Sequence, residues 1–225
     1  MENIILPKSH SIAHQSKSIA VSGLHRGENP QPGAAVIASI RRIYPDFRIV
    51  GLSYDPLESS LYSKGLDHSD VAYLLPFPGM GADALLERLE LIIDKENIGY
   101  IIPCLDLEIS NYIAISQQLE ALDVKCILPG QSALENMNKL NLYHFCQSIN
   151  VSSPQTKVAT DLFSLQTLAE AIKYPVYVKG RFYEAKLAHT VEDLVTVSRK
   201  ISRVWGWPLI VQEAINGEEY NIVGL

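Results

Sequence analysis

The chain has 225 residues, of which 47% are hydrophobic and 20% are charged, so it has enough apolar material for a folded core. Its net charge is -6 and it has no long run of Lys or Arg, which argues against nucleic-acid binding because phosphate backbones require cationic partners. The three cysteines are widely spaced and form no CxxC pair, and no stretch is long enough to span a membrane. These features predict a cytoplasmic protein with free thiols, and they suggest neither a zinc site nor a disulfide framework.

The first 130 residues predict a flexible N-terminal tail (residues 1–17) followed by an open α/β domain (residues 18–130). Apolar runs alternate with helix-like segments, and the runs cover residues 18–22, 48–52, 71–75, 100–103 and 124–128. They are almost continuously apolar, which is typical of strands buried on both faces and therefore predicts a parallel sheet with helices on either side. One of the predicted helices covers residues 107–122.

Residues 131–225 predict a smaller module with an antiparallel sheet. Ser132 and Glu135 have the spacing of a capping box, which predicts a helix that continues to about residue 149. The remaining predicted elements are a helix over 164–172, a strand over 176–179, a helix capped by Thr190, and strands over 209–213 and 220–223. The apolar end of the chain would leave an unpaired strand edge, so we expect a further segment to follow Leu225 or another chain to pair there.

Three segments follow the α/β domain in a characteristic order. They are Asn138-Lys139-Leu140 on the predicted helix, YPVYVKG ending at Gly180, and VQEAINGEEY ending at Tyr220. Together with the P-x-x-D-x-E stretch that ends at Glu108, they resemble the ATP-grasp superfamily, in particular its carbamoyl-phosphate-synthase-like and carboxylate–amine ligases. The resemblance implies a Rossmann-like pre-ATP-grasp domain, followed by the small α+β lobe of an ATP-grasp domain.

The resemblance also implies an ATP site. Two lysines would compensate the phosphate charges, the backbone of a hinge strand would bind the edge of the adenine ring, and a carboxylate would accept the ribose hydroxyl groups. The residues concerned are Lys139, Lys179, Glu213, Ala214, Ile215 and Glu219. Val178 and Ile215 would line the adenine ring.

The chain departs from the superfamily pattern in two places. Where a glycine-rich phosphate loop is expected it has only Gly180, so that Arg181 or Lys186 could supply the missing donors, or the segment could be a tight hairpin. The Mg²⁺ ligands of the superfamily lie in a large lobe after the hinge, which the chain does not contain. We therefore predict no catalytic or metal-binding residue, and no turnover by this chain alone. The complete protein would phosphorylate a small carboxylate with ATP, and an amine would then attack the acyl phosphate.

Other interpretations stay open at this point. One is a non-catalytic module that binds a nucleotide or a partner and is completed by another chain, by homodimerisation or by pairing through its C-terminal edge. Another is dinucleotide binding through the loop over residues 23–33, where His25 and Arg26 could instead contact an anionic substrate. Asp106 and Glu108 could be catalytic carboxylates, although acidic residues also favour the start of a helix.

Overall fold

The computed structural model describes residues 17–26, 30–181 and 184–220. The chain divides into two compact units, Met1–Leu128 and Pro129–Leu225, and each is described by itself. No helix in the described ranges is long and apolar enough to cross a membrane.

Five parallel strands form the sheet of the first unit, in the order β3-β2-β1-β4-β5. The strands are β1 (Ser18–Val21), β2 (Ile49–Ser53), β3 (Val71–Leu74), β4 (Ile98–Ile102) and β5 (Lys125–Cys126). The helices are α1 (Gly33–Ile43), α2 (Ala82–Glu96), α3 (Asp106–Ala114) and α4 (Ser116–Ala121), with short 3-10 turns at Ser59–Tyr62 and Pro78–Met80. The predicted open parallel sheet is confirmed.

The central strands of the first sheet are buried on both faces, as their apolar runs predict, whereas no residue of the edge strand β3 is buried. All five residues of β2 are buried. Ile49 packs with Val21 and with Ile37 of α1 in one cluster, whereas Val50 and Leu52 pack in a second cluster that includes side chains of α2 and α3. Because neighbouring strand residues point to opposite faces, one apolar run supplies both clusters.

Two elements of the first unit are shorter than predicted. The helix expected over 107–122 is divided at Ile115 into α3 and α4, and the Ser116 hydroxyl donates to the Ile113 carbonyl at the division. Such a side-chain bond competes with regular helix bonding. The strand expected over 124–128 is reduced to Lys125–Cys126, since β5 pairs only with β4 and Ile127 beyond it is 92% exposed.

The second unit is built on a four-stranded antiparallel sheet, in the order β6-β9-β7-β8. Its strands are β6 (Thr156–Ala159), β7 (Val176–Lys179), β8 (Ala185–Ala188) and β9 (Leu209–Glu213). Its helices are α5 (Gln131–Met137), α6 (Leu142–Ser148), α7 (Leu162–Ala171) and α8 (Val191–Trp205). The predicted antiparallel module is therefore confirmed, although strands β6 and β8 were not predicted.

The helix predicted from Ser132 to about residue 149 is wrong in one respect, because it is two helices. Lys139 lies in the turn between α5 and α6 and not on a helix. The side chain of Asn138 accepts from the Leu140 N–H at 3.0 Å, and the side chain of Asn141 donates to the Glu135 carbonyl at 3.2 Å. These bonds satisfy backbone groups that a continuous helix would use.

One further prediction in the second unit is wrong, and another lies mostly outside the described residues. The Ser132–Glu135 capping box does not form, since Gly130 occupies the N-cap and no side chain caps α5. Tyr220 lies in no strand, and the rest of the strand predicted over 220–223 falls outside the described residues.

The predicted cap of α8 is present, because the Thr190 hydroxyl accepts from the Asp193 N–H at 3.2 Å. We expect Thr190→Ala to lower the free energy of unfolding by about 1 kcal/mol, since the N–H loses its partner. Urea denaturation measures this change. The matched control is Thr196→Ala at a non-capping position within α8, where alanine has the better helix propensity and stability should be equal or higher. Equal losses in both variants would contradict the role of the cap.

Candidate nucleotide site

Three polar side chains form a row across strands β7, β9 and β6, on one face of the sheet of the second unit. Lys179 ends β7, and its Nζ donates to Gln212 Oε1 on β9 at 2.6 Å. Gln212 Nε2 in turn donates to Thr156 Oγ1 on β6 at 3.0 Å. Residue pairing places Tyr177 opposite Gln212, and Lys179 Nζ lies 5.7 Å from the centre of the Tyr177 ring. The sheet therefore holds the ammonium group of Lys179 at a defined position.

The sequence Val-Tyr-Val-Lys explains which side chains face the site. Val176 and Val178 are fully buried in the core of the second unit, whereas Tyr177 is 37% exposed and Lys179 is half-buried. Because strand side chains alternate between faces, Val178 points away from Lys179. The expectation that Val178 lines an adenine ring is therefore wrong, and Tyr177 is the β7 side chain on the same face as Lys179.

The charges of Lys139 and Glu219 both act on Lys179 in this unit. Burial lowers the pKa of Lys179, the nearby charge of Lys139 lowers it further, and Glu219 acts in the opposite direction. Lys139 lies 40 positions before Lys179, and Glu219 lies 40 positions after it. Lys179 is thus influenced by charges from two segments that lie far from it in the sequence.

Two of the three hinge amides are already engaged in the sheet. The Glu213 N–H donates to the Gln155 carbonyl at 2.8 Å, and the Ala214 N–H donates to the Pro175 carbonyl at 3.3 Å. In the described part of the chain, the Ile215 N–H has no hydrogen-bond partner, and the Ile215 side chain is 62% exposed. Ile215 is therefore the hinge residue whose N–H can serve an external ligand.

The segment after Lys179 joins β7 and β8 as a hairpin. The Gly180 N–H donates to the Glu184 carbonyl at 3.1 Å, and Glu184 has a positive φ of 63°. Lys186 is exposed on β8, opposite Val178. The hairpin connection is present, and the phosphate contacts of Arg181 or Lys186 stay a prediction.

Sequence reasoning missed Gln212 and Thr156. Gln212 immediately precedes the predicted hinge residue Glu213, and it interrupts an apolar run, which is a signal of a polar partner. Thr156 carries no such signal, since its strand β6 was not predicted. Only the pairing of Thr156 with Gln212 connects it to Lys179.

Asp106 and Glu108, the acidic candidates of the first unit, both lie in the first turn of α3. Glu108 is fully buried, and its Oε1 accepts from the N–H groups of Cys104 and Leu105 at 2.9 and 3.1 Å. Its side chain caps the start of α3 by accepting from the N–H of Leu105, the residue before the helix, whereas Asp106 is exposed in the first turn of that helix. These contacts favour the helix-start interpretation over catalysis. Within the described ranges, no group of three His, Cys, Asp or Glu side chains could hold a metal ion.

No protein family and no curated protein matches the sequence. Solved structures are similar in fold. The biotin carboxylase domain of Hydrogenobacter thermophilus 2-oxoglutarate carboxylase, in complex with MgADP, ADP and bicarbonate, has a TM-score of 0.59 and 17% identity over 90% of this chain and 45% of that one. The N5-carboxyaminoimidazole synthetase of Staphylococcus aureus complexed with ADP has a TM-score of 0.61 and 12% identity over 89% of this chain and 48% of that one.

The chain has the ATP-grasp fold. N5-carboxyaminoimidazole ribonucleotide synthetase from Thermus thermophilus is similar as well, with a TM-score of 0.56 and 14% identity over 88% of this chain and 47% of that one. The chain spans a little under half the length of each of these ATP-grasp structures. At identities of 12–17%, the similarity establishes the fold, and the roles of individual residues have to be argued from their own contacts.

Proposed function

We propose that this chain is the N-terminal part of an ATP-dependent carboxylate–amine ligase, and that it binds ATP in its second unit. The carrying observation is the position of Lys179, whose half-buried ammonium group donates to Gln212 Oε1 at 2.6 Å, and whose pKa is lowered by burial and by the charge of Lys139. A half-buried cation that also experiences a second positive charge favours an anion as its partner. A nucleoside triphosphate has the required charge, and the fold is that of structures with bound ADP.

Each part of the nucleotide has a proposed partner. Lys139 and Lys179 bind the phosphates, and the bond from Lys179 to Gln212 holds that ammonium group in position before ATP arrives. The Ile215 N–H donates to the edge of the adenine ring, and hinge carbonyl groups of Glu213 and Ala214 accept from it. Glu219, which is exposed, accepts the ribose hydroxyl groups.

The chemistry that we propose for the complete protein is transfer of the terminal phosphate of ATP to a small carboxylate, followed by attack of an amine on the acyl phosphate. Magnesium would neutralise the phosphate charge, and we propose that its protein ligands lie outside the described residues. The contribution of this chain is to bind and orient ATP through its two lysines and its hinge, and we propose that it does not turn over alone.

Calorimetric titration with MgATP tests this proposal directly. We expect one ATP per chain. We also expect Glu219→Gln to weaken ATP binding about tenfold or more, since a hydrogen bond to a charged group contributes about 1.5–3 kcal/mol. Binding of 2′,3′-dideoxy-ATP should be unaffected by the same substitution, because this nucleotide lacks the hydroxyl groups that Glu219 would accept.

The comparison of the two nucleotides separates a ribose contact from a general effect of charge. If Glu219 acted only through its negative charge, the substitution would change the affinities for ATP and dideoxy-ATP equally. Glu218→Gln, at the neighbouring exposed carboxylate, is the matched control and should leave both affinities unchanged. Absence of any ATP binding by the unsubstituted chain would contradict the proposal as a whole.

A further inference from the structure

A cavity in the first unit is lined by none of the proposed nucleotide residues, all of which belong to the second unit. It has a volume of about 460 Å³ and is lined by Arg26, Pro30 and Gln31 after β1, by one face of α1, and by residues 66–67 before β3. Cavities of this size accommodate small metabolites. Its residues play no part in the nucleotide binding proposed above.

One wall of the cavity is a row of alanines on α1. Ala34 and Ala38 are four residues apart, and Arg42 follows after another four, so the three share one helix face. Helical side chains lean towards the N-terminus, which directs Arg42 back over Ala38. Because Ala38 has only a methyl group, space remains beneath the guanidinium for the apolar part of a ligand.

The cavity has two arginines and one carboxylate. Arg26 lies 3.0 Å from Asp67 Oδ2, and its side chain is 52% exposed. Asp67 is only 14% exposed and is itself held by the Ser63 hydroxyl, which donates to Oδ1 at 2.7 Å. Asp67 thus orients Arg26, while Arg42 is exposed and forms no ion pair within the described ranges. The lining has a net charge of +1 in a chain whose net charge is -6.

We propose that this cavity binds a small organic anion. Its carboxylate or phosphate group lies between Arg26 and Arg42, and its apolar part lies on the alanine face of α1. Carboxylate and phosphate groups both accept paired hydrogen bonds from a guanidinium group, so the two arginines could bind either anion. The apolar wall formed by Ala34, Ala35 and Ala38 disfavours a fully hydrated inorganic ion and favours an anion with an aromatic or aliphatic body.

Nuclear magnetic resonance titration of the complete chain tests this site. The probes are benzoate and phenyl phosphate, which have the same ring and differ in the anionic group. We expect the backbone amide signals of Ala34, Ala35 and Ala38 to shift saturably with at least one probe, and the tighter probe identifies the anion class. Absence of a saturable shift at these alanines with both probes would overturn the proposal.

Two variants test the residues of the cavity, and a third is the control. Arg42→Gln should weaken the tighter probe about tenfold or more, because a charge-assisted contact is lost. Ala38→Leu should also weaken it, since the larger side chain fills the space beneath Arg42 without changing any charge. Arg199→Gln, at an exposed arginine of α8 in the other unit, should change nothing. Unchanged affinity in both Arg42→Gln and Ala38→Leu, with amide spectra that show a folded chain, would overturn the proposal.

The test is independent of ATP binding. Probe binding is read at α1 in the first unit, whereas the nucleotide residues lie in the second. A Lys179→Met chain should bind the tighter probe with unchanged affinity. Loss of ATP binding together with retained probe binding would therefore contradict only the proposed function, and the reverse result would contradict only the anion site.

Discussion

Replacing Lys179 by methionine is expected to weaken ATP binding by about ten- to a hundredfold. The substitution removes a half-buried ammonium group that we propose to contact the phosphates, and one charge-assisted hydrogen bond contributes about 1.5–3 kcal/mol. Methionine keeps most of the aliphatic side chain, so packing against Tyr177 should persist. Calorimetric titration with MgATP measures the loss, and Lys139→Met should produce a smaller loss because Lys139 is less buried than the strand residue Lys179.

The size of the effect should depend on the number of phosphates. Adenosine should bind to the Lys179→Met chain as it does to the unsubstituted chain, while the difference should grow from AMP to ATP. Lys200→Met, at an exposed lysine of α8, is the matched control and should bind ATP normally. An equal loss of affinity for adenosine and ATP would show that Lys179 supports the hinge and does not bind phosphate.

Replacing Glu108 by alanine is expected to lower the free energy of unfolding of the first unit by about 3 kcal/mol or more, because each buried donor left without an acceptor costs about 1–3 kcal/mol. The Glu108 carboxylate is fully buried and accepts from the hydroxyl groups of Ser22 and Tyr54 and from the N–H groups of Cys104 and Leu105. Alanine would leave all four donors without this acceptor, and Ser22 and Leu105 among them are buried. Chemical denaturation followed by circular dichroism measures the change.

Two further substitutions test whether the stability lost in Glu108→Ala comes from the lost hydrogen-bond acceptor or only from lost packing. Tyr54→Phe removes one donor and should cost about 1–2 kcal/mol, whereas Glu90→Ala at an exposed position of α2 should have little effect. A cost for Glu108→Ala no greater than that for Tyr54→Phe would contradict the proposed role of Glu108 as a shared acceptor.

The stability of the first unit should also depend on pH through Glu108. Burial raises the pKa of Glu108 above its usual range, although the hydrogen bonds from Ser22 and Tyr54 act in the opposite direction. The folded state therefore favours the protonated carboxyl group. The stability contributed by that proton is fully present below the unfolded-state pKa and is lost as pH rises through the folded-state pKa. Glu108→Gln, which does not titrate, should remove this dependence.

The architecture of both units could be predicted because its signals are local. Five almost continuously apolar runs predicted the parallel sheet, since strands buried on both faces need apolar side chains at every position. The Thr190 cap was predicted for the same reason, because it involves only the first turn of one helix. The helix through Lys139 was predicted wrongly, since bonds from Asn138 and Asn141 to nearby backbone groups outweighed the helical pattern.

The candidate site depends on contacts between distant residues, which the sequence could suggest only through family resemblance. Lys179 meets Gln212 because β7 pairs with β9, and Gln212 meets Thr156 because β9 also pairs with β6. Strand order and register follow from how the whole unit buries its apolar side chains, and no short segment encodes them. For this reason the sequence determined the types of element and the candidate residues, whereas the tertiary fold decided that Val178 faces the core and that Lys179 is held by Gln212.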